Sequence, residues 1–212
     1  MATFEKGILG GFSGKVGNVV GGTWKGKSYM RSVPGKRTKP SSVKQLVQQA
    51  KFSLIVLFFH TFSGLLNLSF RSFAVKVTGF NSAVAYGLKN AVTGNYPAFD
   101  IAYPQVLIAR GDLPNATNPK AAATGSGFIN FDWVSNAGVG LAKATDKTIL
   151  LIYCPALKQA IYTVGSSTRI TVAEKLDVSP FTGQGVETYI SFISEDEKDV
   201  ATSVYTGHVQ VS

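Results

Sequence analysis

The one stretch whose residue types and spacing match a known chemistry is Gly21-Gly22-Thr23-Trp24-Lys25-Gly26-Lys27-Ser28, which fits the phosphate-loop pattern G-x-x-x-x-G-K-[ST]. That chemistry needs a strand before the loop and a helix after it, so that backbone N–H groups and a helix N-terminus cradle phosphates together. Here the continuation is YMRSVPGKRTKP, with prolines where the helix should run, and no acid for a magnesium partner occurs before Asp100. Asp132, after FINF, imitates a second acidic motif without a parallel-sheet context. The pattern reads as a coincidence in a Gly/Lys-rich stretch. Gly11-Phe12-Ser13-Gly14 is not a nucleophile elbow, which needs glycines on both sides of x-Ser-x in a strand-turn-helix setting. A base for a serine or cysteine nucleophile would have to be His60 or His208, placed by the pattern in an apolar helix and a terminal strand. Cys154 ends the run ILLIYC and reads as a small buried hydrophobe. As the single cysteine it excludes a disulfide framework and a multi-cysteine zinc site within the chain. Glu195, Asp196, Glu197 and Asp199 lack a glycine-turned liganding loop and read as a solvated hairpin tip rather than a calcium site. No catalytic residue, cofactor, metal or small-molecule substrate is assigned.

Charge is the stronger signal. Residues 6 to 51 hold ten basic side chains and no acid, whereas eleven bases and eleven acids cancel from residue 52 onward, so the formal +9 belongs to the first quarter of the chain. The basic and aromatic residues Lys15, Trp24, Lys25, Lys27, Tyr29, Arg31, Lys36, Arg37 and Lys39 are the expected contacts to a polyanion or a neighbouring subunit. Lys and Arg interleaved with aromatics in a Gly-rich segment suit phosphate contact with occasional base stacking. They suit better an arm that adds strands to, or threads across, a neighbouring subunit.

These residues require elements to hold them. Residues 1–40 read as an extended basic arm, because Gly10-Gly11, Gly21-Gly22, Pro34, Gly35 and Pro40 prevent a long helix while Val16, Val19, Val20, Trp24, Tyr29 and Met30 allow short strands. Residues 41–97 read as helical. Ser41 and Ser42 precede a helix of about six turns from Val43, and a shorter helix is capped by Asn81. Apolar character spreads nearly all round the first helix between Lys51 and Phe59, so it is either sandwiched inside the protein or used between subunits, and Leu46, Leu54, Leu57, Phe58, Phe62 and Leu65 are assigned to assembly. The uncharged run from Phe52 to Phe70 is long enough to span a bilayer. Its Ser53, His60, Thr61, Ser63, Gly64, Asn67 and Ser69 favour a buried helix instead. Residues 98–212 alternate with period two, giving strands at 102–110, 127–134, 147–154, 159–164, 170–174, 185–194 and 202–211. The expected fold class is therefore α+β: an extended basic N-terminal arm, one long and one short helix, then an antiparallel immunoglobulin-like β-sandwich. No apolar core of signal-peptide length opens the chain, which implies a cytoplasmic protein or one released by lysis.

GILGGFSGKVGNVVGGTWKGKSYMRSVP, followed by VKQLVQQAKFSLIVLF and closing on Ser203, Tyr205 and Gly207 of an S-x-Y-x-G ending, resembles an uncharacterised bacterial family of unknown function. Similar openings occur in phage and prophage structural proteins. The resemblance brings no activity and implies that the opening is a shared structural device. The expected protein is a non-enzymatic structural subunit forming a homo-oligomer, filament or virion-like assembly; the alternative is a nucleic-acid-binding protein. The expected partner is the chain itself, with nucleic acid second and a membrane disfavoured.

Overall fold

A computed structural model describes residues 3–4, 11–24, 27–35, 40–74, 76–125 and 127–212, with backbone alone at Thr3, Phe4 and Trp24. Lys25, Lys36, Arg37 and Lys39 lie outside the described residues. The chain divides into two compact units, Met1–Ser42 and Val43–Ser212.

In the first unit the expected extended arm is a sheet. Strands β1 (Thr3–Phe4), β2 (Phe12–Val16), β3 (Val19–Trp24) and β4 (Lys27–Ser32) pair antiparallel in sequence order. Gly17, at φ 57° and first of the two residues closing the Val16–Val19 pair, supplies the positive φ that a tight hairpin takes at this position.

The second unit begins with α1 (Val43–His60), α2 (Ser63–Ser69) and α3 (Gly79–Asn90). The expected six-turn helix is shorter than its pattern, because the chain turns at Thr61 and bends by 88° into α2. The Thr61 amide and hydroxyl both donate to the Phe58 carbonyl, at 3.3 and 2.7 Å, which ends the α-helical ladder. Helix α3 is capped by Thr78, whose hydroxyl accepts from the Asn81 amide at 3.2 Å, rather than by Asn81 itself. Among the described residues no single helix is long and apolar enough to cross a membrane.

A hairpin, β5 (Val92–Asn95) and β6 (Ala98–Ile101), leads into the β layers. The strand expected at 102–110 is absent: Tyr103–Gln105 is a 3-10 turn, and Val106, Ile108 and Ala109 plug the core without pairing. The first sandwich strand is β7 (Thr117–Ala123), in a segment that reads as a loop. It is followed by β8 (Phe128–Val134), β9 (Lys147–Cys154), β10 (Gln159–Thr168), β11 (Ala173–Asp177), β12 (Gly185–Ile193) and β13 (Val204–Gln210). One sheet has the order β11-β8-β7 and the other β10-β9-β12-β13. In the constant immunoglobulin arrangement the fourth of seven strands joins the first, second and fifth. Here the fourth, β10, pairs with the third, so the sheets hold three and four strands.

The four-stranded sheet is buried on both faces. From β9, Leu150, Ile152 and Cys154 face the three-stranded sheet with Phe131, Trp133 and Phe192. Ile149, Leu151 and Tyr153 face the helices with Phe58, Phe59 and Leu66. The fold is thus α+β in three layers, helices on a β-sandwich, and residues 97 and 98, where the pattern shifts from helical to period two, lie within the β5–β6 hairpin.

Candidate assembly and polyanion surface

Strand pairing fixes which side chains of the N-terminal sheet share a face, because successive residues alternate and cross-strand partners lie on the same side. Lys15 pairs with Val20 and Val20 with Arg31, and Gly22 pairs with Tyr29. Lys15, Val20, Lys27, Tyr29 and Arg31 therefore occupy one face. The partners Val16–Val19–Ser32 and Gly14–Gly21–Met30 place Phe12, Val16, Val19 and Met30 on the other, which carries no charge from these strands. The rings agree with this parity. A Cβ at Gly21 would meet the Phe12 ring at 2.7 Å, and one at Gly22 would meet Tyr29 Oη at 3.1 Å and Cζ at 3.2 Å. Each aromatic lies across a glycine on its own face.

Neither face is packed like a core. Every residue of β4 is exposed, as are Val16 and Val19, with Met30 at 71% and Val16 at 49%. Among the described residues, neither hydrophobic cluster contains one from the first unit. Lys27 and Ser28, the end of the phosphate-loop pattern, sit on β4 of a hairpin, and the next helix begins only at Val43. The strand-loop-helix cradle is not what these residues form.

The expected assembly helix requires correction. Phe58, Phe62 and Leu65 are 2%, 1% and 1% exposed, enclosed by the chain's own core, and have no surface to offer a partner. Phe58 stacks edge-on against Tyr153 with ring centres 4.7 Å apart. Leu54 is half-buried, while Leu46 and Leu57 remain exposed. Leu54, Leu57 and Phe58 line, with Tyr103, Tyr153 and Lys158, a cavity of about 300 Å³.

His60, at the end of α1, is exposed, and several other reactive side chains are engaged structurally. His208 Nδ1 lies 3.0 Å from Glu187 Oε1, and the other Glu187 oxygen accepts from the Tyr205 hydroxyl at 2.5 Å. Cys154 is buried in the sandwich core. In the acidic turn, Asp196 pairs with Lys198 at 2.9 Å and Glu197 with Lys147 at 3.2 Å. Those bonds from Lys198 and from Ser194 hold the Asp196 carboxyl below its ordinary range. Among the described residues no three His, Cys, Asp or Glu side chains gather as a metal site.

Sequence reading named Val16, Val19 and Met30 as strand formers but did not join them with Phe12 as one face; the signal for Met30 was present in KSYMRS, where Lys27, Tyr29 and Arg31 alternate with Ser28, Met30 and Ser32 at period two.

The model of DUF6266, a family of unknown function, matches residues 11–207, and the chain belongs to that family. The matched stretch takes in β2 through β4. A comparison with curated proteins finds no match. Among solved structures, the chain is similar to the fn3 domain of the human collagen alpha-1(XX) chain at 12% identity and a TM-score of 0.33, covering 49% of this chain and 90% of that one.

Proposed function

We propose that this member of DUF6266 is a non-enzymatic structural subunit that associates with copies of itself through the uncharged face of its N-terminal sheet. One observation carries the reading: Val16, Val19 and Met30 of β2–β4 share a face, are exposed, and belong to neither hydrophobic cluster. A small sheet needs one covered face to be stable in water. A second copy meets this requirement with a self-complementary surface, sheet on sheet about 10 Å apart. Exposed Leu46 and Leu57 on α1 are the part of the expected helical interface that survives.

Light scattering on the intact protein at micromolar concentration is expected to give at least twice the mass of one chain. The charge-neutral double substitution Val16→Thr/Met30→Gln is expected to lower that mass to a monomer. A compact intact monomer, with mass and solubility unchanged on removal of residues 1–38, would overturn the proposal.

A further inference from the structure

The opposite face of the same sheet has a different chemistry, and we infer that it binds single-stranded nucleic acid. Lys15, Lys27 and Arg31 share it with Tyr29 and Val20. No acid occurs between Glu5 and Asp100 to neutralise these cations. Lys27 and Arg31 flank Tyr29 on β4, each two residues away and therefore about 6.6–6.8 Å along the strand. The Tyr29 ring lies across Gly22, which has no side chain to lift it, and is 45% exposed. A half-exposed ring lying across a glycine, between two cations, suits one unstacked base with phosphates on either side.

The face discriminates among polyanions. A duplex keeps its bases stacked and offers Tyr29 only phosphates. An anionic bilayer would be met by several protruding apolar side chains beside the cations, yet of the aliphatic side chains of β2–β4 Val16, Val19 and Met30 lie on the other face and half-buried Val20 alone lies on this one. An acidic protein surface would satisfy the cations but leave the exposed ring without a planar partner. The inference does not depend on self-association, because the two surfaces point in opposite directions. If copies do associate through the uncharged face, their basic faces point outward, and the avidity for a long strand rises.

The test is fluorescence anisotropy of the full-length chain with labelled oligo(dT) of about 20 nucleotides, at roughly 50 to 300 mM NaCl. Binding is expected, with log affinity falling against log salt at a slope of roughly −2 from these three cations. Lys15→Gln and Arg31→Gln should each reduce that slope by about 0.7. Tyr29→Ala should weaken binding about tenfold at fixed salt with the slope unchanged, while Tyr29→Phe, which keeps the stacking plane and serves as the fold control, should bind nearly as the parent does. The neutral Val16→Thr/Met30→Gln variant separates the two readings: if its mass falls and oligo(dT) binding per chain persists, both faces act as assigned. A parent that stays monomeric yet binds oligo(dT) in a Tyr29-dependent way would overturn the assembly reading alone. No binding at the lowest salt, equal affinity for duplex, tighter capture by phosphatidylserine vesicles, or no effect of Tyr29→Ala would each overturn this inference.

Discussion

Arg169 is fully buried, and so is its partner Asp146, 3.0 Å from Nε to Oδ2. The guanidinium also donates to Asn136 Oδ1 at 2.6 Å and to the Pro114 carbonyl at 2.8 Å, and it lies 4.3 Å from the Phe192 ring centre. Burial pulls its pKa below the ordinary arginine value, and Asp146 pulls in the opposite direction. Four chain segments meet at this one side chain. Removing it by Arg169→Met is expected to cost about 3–5 kcal/mol in urea unfolding, because Asp146 would stay buried and unpaired. The double variant Arg169→Met/Asp146→Leu should recover most of that loss, since an apolar pair of similar volume is often no worse than a buried ion pair. Nothing in VGSSTRITVAE distinguishes this arginine from a solvated one, because its partners lie 23 to 55 residues away in sequence. The cations of the N-terminal sheet were legible at this scale because an acid-free stretch needs no tertiary context.

At the scale of elements, helices were legible where their apolar period is long, and strands where alternation is clean. Both failed where packing overrides local pattern. The apolar steps run on through Thr61, yet the chain turns there so that Phe58, Phe59 and Phe62 converge: their rings lie 5.1 to 5.7 Å apart. The run 102–110 alternates like a strand but fills space beside the helices instead, and β7 hides in a Pro/Asn-rich stretch because its burial is only partial. The α1–α3 crossing is set by Gly87, where a Cβ would meet Phe59 Cε2 at 2.8 Å and Ile55 Cγ2 at 3.4 Å. Gly→Ala inside a helix ordinarily gains up to about 1 kcal/mol. Gly87→Ala is expected to reverse that sign and destabilise by roughly 1–3 kcal/mol, because Phe59 is fully buried and must leave its rotamer or push the helices apart. Thermal unfolding against the parent checks the sign directly.

For the molecule as a whole, the gathering of basic charge in the first quarter of the chain was legible from the sequence alone, whereas the stacking of helices on one sandwich sheet was not. KTILLIYC is a nearly continuous apolar run, and such a run on a strand signals burial on both faces; it does not say which elements cover each side. The same layering sets the protein's response to base. Tyr189 is fully buried at the helix-facing side of β12, where its hydroxyl donates to the Tyr103 carbonyl at 2.9 Å. Burial, and then the nearby Glu187 charge, raise its pKa above the ordinary tyrosine value; burial also raises those of Tyr103 and Tyr205. The unfolded chain ionises these phenols near the usual value of about 10, whereas the folded body holds them neutral. Below that pH both states bind the same protons and stability is indifferent to these groups; above it the unfolded state loses protons first, and stability falls as pH rises. Tyr189 alone should remove about 1.4 kcal/mol per pH unit in that window. Melting temperature recorded from neutral pH upward is expected to stay flat and then drop beyond the phenol range, with the part of the ultraviolet ionisation signal that Tyr189→Phe removes appearing only as the body unfolds. Tyr189→Phe should flatten that decline. A phenol signal that is lost in Tyr189→Phe and develops while the parent fold is intact would place Tyr189 in contact with water and contradict its position between the sandwich and the helices.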